Sequence, residues 1–181
     1  MKDLTGKFLI ASPSVTEESY FSKALIYIVK HDDTGAMGVV VNSPLITLDG
    51  QVTVSASEKS EEEITLKNVH TYSGGPVDVE KGLILQMKKE PELETEVINI
   101  TSNIKDLKNL SKKNKNKNML LFGYCGWEEG QLEEELSESC WIIAPANKEI
   151  LFSTKDEEKW DKALKQLYIN PIQYSYHIGN C

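Results

Sequence analysis

Three glycine-bearing segments, each joined to a short apolar run, constrain the fold of this chain more than any other feature of its sequence. The segments span residues 35–44 (GAMGVVVNSP), 72–77 (YSGGPV) and 122–136 (FGYCGWEEGQLEEEL). Glycine is used where the backbone needs a positive φ or passes close to another atom. Because all three segments lie at the ends of predicted strands, we expect them to form one tightly built region.

The apolar runs predict many strands and few helices. Strands are predicted at 8–11, 24–29, 37–42, 69–72, 82–87, 96–100, 119–124 and 140–144, and helices at 104–110, 131–138 and 155–167. Residues 17–23 predict a short helical or irregular stretch, the turn at 32–35 predicts an antiparallel hairpin, and the polar segment 46–68 predicts a loop with at most a short helix. This pattern indicates an α+β protein with a largely antiparallel sheet and helices packed at its edges.

Size and charge narrow the classes of function. At 181 residues the chain fits one compact domain over residues 1–181. Its net charge is −8, and all 20 basic residues are lysine. An acidic chain is repelled by phosphate backbones, and arginine is the usual bidentate clamp for phosphate and guanine. The sequence therefore counts against direct DNA binding, and an anion site would have to use lysine, backbone amides or a helix N-terminus.

Apolar segments and cysteines give expectations about location and cofactors. No apolar run approaches the roughly 20 residues that span a bilayer, and no signal-peptide pattern opens the chain. We therefore expect a cytoplasmic protein without membrane association. The three cysteines match no metal or redox spacing, so we expect reduced thiols, no metal and no cofactor.

The Gly74–Gly75 pair is the first candidate binding feature. Its amides, with Ser73 beside them, are typical of an anion-binding nest. A tight turn with positive φ leading into the next strand is the alternative interpretation, and the sequence favours that turn.

Gly126 and Trp127 form the second candidate, at the start of the helix predicted at 131–138. Exposed amides at a helix start attract anions. The glutamates of this segment, however, already complement the positive end of the helix dipole and repel an incoming anion. A cation or a basic partner suits this acidic segment better.

His31 and Asn42 are polar candidates beside two predicted strands. His31 precedes two aspartates, a pattern compatible with a general base or a metal ligand. No second histidine stands at ligand spacing, so a metal site is not expected. Asn42 ends its strand and supplies an amide.

The order and spacing of the motifs resemble the AlgH/YqgE family of bacterial proteins over nearly the whole chain. The matching segments are 4–11, 26–31, 35–44, 74–77, 123–127, 130–136 and 141–146. The resemblance implies a compact α+β fold with a coiled, bulged, mostly antiparallel sheet. It also carries the label of transcriptional regulator, with no established catalytic residues.

The chain departs from the family pattern at basic positions. Asn42-Ser43-Pro44 stands where the family typically has Asn-Arg-Pro, and segment 81–86 replaces an arginine and a histidine with Lys81 and Gln86. An anion-binding or acid–base site built from those groups would be largely lost here.

The motifs contain glycine, proline, tryptophan and apolar residues but few reactive groups. They favour a non-enzymatic cytoplasmic protein that binds a protein or small-molecule partner through the glycine-rich surface, with an indirect regulatory role. The apolar strand pair also favours a partner surface or a homo-oligomer. The alternatives are a hydrolase or transferase acting on a small phosphorylated or ester substrate at a glycine-rich amide cradle, and a direct DNA-binding regulator. On the favoured hypothesis, Gly75→Arg abolishes binding and leaves the thermal melt nearly unchanged.

Overall fold

A computed structural model describes residues 3–46, 51–57, 60–67, 70–89, 96–102 and 118–170 of the chain. The strands are β1 (Lys7–Ala11), β2 (Leu25–Asp32), β3 (Gly35–Val40), β4 (Gln51–Ser57), β5 (Ser60–Lys67), β6 (Thr71–Ser73), β7 (Val77–Lys89), β8 (Glu96–Thr101), β9 (Asn118–Trp127) and β10 (Trp141–Pro145). The helices are α1 (Gln131–Ser137), α2 (Lys148–Phe152) and α3 (Asp156–Lys165).

One large sheet organises these elements. Its strand order is β10-β1-β2-β3-β9-β7-β8, and β6 adds to β9. Every pair is antiparallel except β6 with β9, which is parallel. Bulges interrupt the β2–β3 and β7–β9 pairings, and such bulges sharpen the local bend and twist of a sheet.

Both faces of this sheet are covered, because the central strands are apolar on both sides. In β2, Leu25 and Tyr27 belong to one buried cluster, which also holds Trp160 of α3. Ile26 and Ile28 belong to the other, which holds Leu132 of α1. The alternation of side chains along the strand divides it between the two cores.

The structure confirms the α+β class, the mostly antiparallel sheet and the hairpin at residues 32–35. The prediction for residues 46–68 was wrong: β4 and β5 form a separate antiparallel hairpin with Val52 opposite Leu66 and Val54 opposite Ile64. Helix α2 was not predicted. The predicted helix at 104–110 lies outside the described residues.

The sheet curls so that strands far apart in its order meet in space. Three strands separate β9 from β10, yet the ring centroids of Trp127 and Trp141 lie 6.2 Å apart. Helix α1 connects the two strands and packs near this point. Among the described residues, no helix has the length and apolarity needed to cross a membrane.

Candidate functional site

The curled sheet and α1 enclose a largely apolar cavity of about 360 Å³, here called the aromatic pocket. Strand β9 supplies one wall, the start of β10 a second, and α1, the loop before β2 and the start of β7 the rest. Its lining residues are Val15, Ser19, Phe21, Pro76, Val77, Cys125, Gly126, Trp127, Gln131, Glu135, Cys140 and Trp141.

A single carboxylate, Glu135, organises the polar contacts of this pocket. Its Oε2 accepts the indole N–H of Trp127 at 2.8 Å and that of Trp141 at 2.6 Å. Its Oε1 accepts Nε2 of Gln131 at 2.9 Å. Both buried indole donors are therefore satisfied by one side chain, which ties α1 to both strands.

Aromatic rings line the apolar part of the pocket. Trp127 and Trp141 meet edge to face, and Phe21 meets Trp141 in the same way with ring centroids 5.5 Å apart. These arrangements place the positive edge of one ring against the negative face of the next. The rings are thereby held in fixed orientations around the cavity.

The thiol of Cys125, also in the pocket wall, is poorly suited to nucleophilic attack. Burial, and then the negative charge of Glu135, raise the pKa of Cys125 to about 12. A thiol with so high a pKa stays protonated at neutral pH, and the thiolate is the nucleophile. Cys125 is free, whereas Cys140 takes part in a disulfide bond, so the expectation of reduced thiols was wrong for Cys140.

The Gly74–Gly75 segment packs directly against β9. The Gly74 N–H donates to the carbonyl of Phe122 at 2.7 Å, and the Gly74 carbonyl accepts from Val40 at 2.8 Å. That amide is therefore already paired within the sheet. A Cβ on Gly75, whose φ is +152°, would lie 2.2 Å from the carbonyl carbon of Tyr124. Gly75→Arg would consequently disrupt the fold, contrary to the expectation of an unchanged melt.

Ser73 lies near the rim of the pocket rather than in it. Its hydroxyl hydrogen-bonds that of Tyr20 at 3.1 Å, and the Tyr20 ring meets Phe21 edge to face. Gly126 and Trp127 line the pocket itself. Ser73, Gly126 and Trp127, three of the candidates from the sequence, therefore lie at or near the aromatic pocket. The Gly74–Gly75 turn packs against β9 instead.

His31 lies on the other side of α1, in a closed set of contacts. Its Nδ1 accepts the backbone N–H of Leu4 at 3.2 Å, so the ring proton of the neutral form sits on Nε2. Nε2 donates to Oε1 of Glu133 at 2.8 Å. The imidazole is buried and fastens the N-terminal segment to α1.

Asn42 also makes contacts with backbone. Its Oδ1 accepts the N–H of Leu25 at 2.8 Å, and its Nδ2 donates to the carbonyl of Lys23 at 2.8 Å. It borders a different cavity, next to Asp156 and Trp160 of α3. The structure therefore separates His31 and Asn42 from the aromatic pocket.

The two side chains that complete the pocket, Glu135 and Trp141, were missed from the sequence. A signal was present, because Trp127 and Trp141 bracket the predicted helix and Glu135 stands beside its apolar Leu132–Leu136 stripe. Joining the three required the curl of the sheet, which no local pattern reveals.

A third cavity, of about 430 Å³, lies beside α3. Lys159 borders it with a buried amine that donates to the Val41 carbonyl at 2.7 Å and pairs with Asp156 at 2.7 Å. The amine also lies 5.0 Å from the ring centroid of Tyr72. Burial lowers the pKa of Lys159. Burial and the Asp156 carboxylate raise the pKa of Tyr72.

Metal chemistry finds no support in the part of the chain that the structure describes. It holds no group of three or more His, Cys, Asp or Glu side chains placed to bind a metal ion. None of the three cavities therefore offers a metal centre built from those side chains of the described residues.

Comparison with known proteins agrees with this architecture. Residues 8–172 match the family described as DUF179: AlgH-like. UPF0301 proteins of Pseudoalteromonas translucida and Vibrio cholerae are 32% and 35% identical, over 99% and 98% of this chain and 100% and 99% of their own lengths.

Two solved structures share the fold. The solution structure of AlgH from Pseudomonas aeruginosa aligns with a TM-score of 0.70 and 27% identity, covering 99% of this chain and 97% of that one. Protein DIP2367 of Corynebacterium diphtheriae aligns with a TM-score of 0.70 at 17% identity, covering 97% of this chain and 93% of its own. The second likeness concerns the fold alone. By the extent of these matches, the chain belongs to the AlgH-like family.

Proposed function

We propose that this protein is a non-enzymatic, cytoplasmic binding protein that takes a small ligand or the apolar side chain of a partner into the aromatic pocket, with an indirect regulatory role. The pocket itself carries the proposal. Ligand sites are typically concave and mostly apolar, with a few polar groups in fixed positions. A cavity of about 360 Å³ with aromatic walls and one fixed carboxylate has these properties.

The chemistry of the pocket wall favours binding over catalysis. Cys125 is a protonated thiol, and the Ser19 hydroxyl accepts the N–H of Phe21 at 3.2 Å. No histidine or lysine belongs to the lining residues that the structure describes, and the one carboxylate among them, Glu135, already accepts hydrogen bonds from three N–H donors rather than from Ser19. Activation of a hydroxyl or thiol requires such a base or a lowered pKa.

The hydrolase and DNA-binding alternatives gain less support. The N–H of Gly74, in the proposed amide cradle, already donates to the Phe122 carbonyl, and both ring nitrogens of His31 are hydrogen-bonded, to Leu4 and to Glu133. A net charge of −8 disfavours binding to a phosphate backbone. A regulatory role of this protein would then act through a bound ligand or partner.

Enlarging one wall of the pocket tests the proposal. Val77 and Val79 are both exposed residues of β7, but Val77 lines the cavity and Val79 does not. We expect Val77→Phe to block small aromatic fragments and Val79→Phe to leave their binding unchanged, because only the first ring fills the cavity. The readout is the NMR signal of each indole N–H during titration with a fragment set.

The chain contains three tryptophans, which supply an internal reference. Trp127 and Trp141 line the pocket, whereas Trp160 donates to the Ala11 carbonyl in the other core. Binding in the pocket shifts the first two signals and leaves the third in place. The proposal fails if no fragment moves the pocket pair in the wild type, or if Val77→Phe binds as well as Val79→Phe.

A further inference from the structure

We infer that the occupant of the aromatic pocket is a small organic cation, an ammonium group carried on an apolar or aromatic body. This inference rests on the proposed function and names the class of ligand. It starts from Glu135, the one charged side chain among the lining residues that the structure describes, and from the kind of groups that surround it.

Within the described part of the chain, the hydrogen bonds to Glu135 all come from neutral donors. The indole N–H groups of Trp127 and Trp141 and the amide of Gln131 all donate and bring no positive charge. Three donors on two oxygens fit the ionised carboxylate, which only accepts. The described lining residues include no lysine. The hydrogen bonds therefore stabilise the negative charge without cancelling it.

The carboxylate retains the capacity for one more contact. A carboxylate offers about four lone-pair sites, two on each oxygen. Oε2 accepts two indole donors and Oε1 accepts one amide donor. One site on Oε1 is thus left for a donor from a ligand, and an ammonium N–H would supply both the proton and the opposite charge.

The aromatic walls suit the same ligand. The faces of indole and phenyl rings attract cations, most strongly where water is excluded. Trp127 and Trp141 are buried, and Phe21 completes the set with fixed edge-to-face geometry. The cavity of about 360 Å³ lies at the lower end of the range of roughly 300–1,000 Å³ typical of small-molecule sites.

The surrounding chain extends the negative potential beyond the pocket. Residues 118–147 contain six glutamates and neither lysine nor aspartate. Glu128, Glu129 and Glu134 are exposed on the loop and helix that border the cavity. Clefts lined by one sign of charge raise the local concentration of oppositely charged ligands. The negative charge of Glu135 also acts inside the pocket, because it contributes to the raised pKa of Cys125 in the pocket wall.

A matched series of probes tests the charge preference. Benzyltrimethylammonium, benzyl alcohol and phenylacetate share a phenyl ring and differ in charge. Each is titrated into the full-length protein while the indole N–H signals of Trp127, Trp141 and Trp160 are followed. We expect the cation to bind at least about tenfold more tightly than the alcohol, with phenylacetate weakest. Added salt should weaken the cation selectively.

Two variants locate the origin of the preference. Glu135→Gln removes the charge while its amide oxygen can still accept both indole donors, and we expect the preference for the cation to fall to within about threefold. Glu129→Gln removes the same charge from an exposed residue outside the pocket lining, and we expect the preference to persist.

The outcomes separate the two proposals. Equal binding of the alcohol and the cation at Trp127 and Trp141 would overturn the cation class and leave the pocket as a binding site. Stronger binding of phenylacetate, or tetralysine acting at lower concentration than any small cation, would also overturn it. A preference that survives Glu135→Gln would show that Glu135 is not its source. The comparison of probes on the wild type does not depend on whether the variants fold.

Discussion

Two charged side chains, the buried Lys159 and the half-buried Glu135, each border a cavity, and their partners differ in charge. Lys159 faces an opposite charge, Asp156, and a backbone carbonyl, Val41. Glu135 faces neutral N–H donors in the part of the chain that the structure describes. The lysine is thus compensated inside the fold, whereas the glutamate keeps a negative charge that a ligand can meet. Whether a charged side chain has a partner of opposite charge therefore distinguishes a structural ion pair from a candidate binding group better than its burial does.

The cavities beside Lys159 and Glu135 also differ in the charges of their lining residues. The cavity beside Lys159 is lined by both acidic and basic side chains, among them Asp156, Glu157 and Lys155. In the aromatic pocket, Glu135 is the charged member of the described lining. Fields of mixed sign cancel over short distances, but an isolated charge in an apolar cavity is weakly screened.

The largest expected effect comes from breaking the compensated charge. Lys159→Met leaves Asp156 without its partner and the Val41 carbonyl without its donor, so we expect a loss of about 3 kcal/mol in the free energy of unfolding. Lys162→Met on the same helix removes an exposed pair with Glu158 at 3.3 Å and should cost under about 0.5 kcal/mol. Urea unfolding of both variants measures the difference. Equal stabilities would mean that Lys159 is not a structural residue.

A second pair of substitutions tests whether the packing of Gly75 against β9 stabilises the wall of the aromatic pocket. Gly75→Ala places a Cβ 2.2 Å from the Tyr124 carbonyl carbon at a φ of +152°, so we expect a loss of about 2 kcal/mol from strain and overpacking. Gly126→Ala meets only Tyr124 Cε2, at 3.6 Å, and should change stability by less than about 0.5 kcal/mol. Thermal melts compare the two. An unaffected Gly75→Ala would reopen a role for this glycine in binding rather than in packing.

The same parts of the molecule also show how much of the structure could be predicted from the sequence. The glycine segments and the apolar strands predicted the sheet, because a short stretch of sequence shows both the glycines that permit close backbone approach and the alternation of side chains. Gly75 permits such an approach, although its neighbour there, Tyr124, is distant in sequence. The β4–β5 hairpin was missed, since the charged residues 61–63 concealed the alternation of Val52 and Val54 with polar neighbours.

The candidate site was only half predictable. Trp127 and Gly126 were identified from their motif, but their partners Glu135 and Trp141 depend on the curl that joins β9 to β10. The charges of Lys159 and Asp156 could be placed on one helix turn from their spacing. The burial of Lys159 against the Tyr72 ring depends on how α3 packs on the sheet, which a helical period does not specify.

The smallest expected effect concerns the pKa of Cys125, which reports on the negative charge of Glu135. Its pKa is raised to about 12 in the folded protein, by burial first and by Glu135 second. In the unfolded chain the thiol ionises near pH 9. A raised folded pKa contributes stability that is fully present below the unfolded value and is lost as the pH rises toward the folded one.

The free energy of unfolding should therefore fall above about pH 9, and Cys125→Ala should lack this part of the fall. Between pH 7.5 and 9.5 we expect the wild type to lose about 0.8 kcal/mol more than Cys125→Ala in urea unfolding, other groups titrating equally in both. In a Glu135→Gln background the difference should shrink at higher pH, because one of the two causes of the raised pKa is gone. Identical pH profiles of wild type and Cys125→Ala would contradict the burial of a neutral thiol. A difference unaltered by Glu135→Gln would mean that the field of Glu135 does not reach the wall of the pocket.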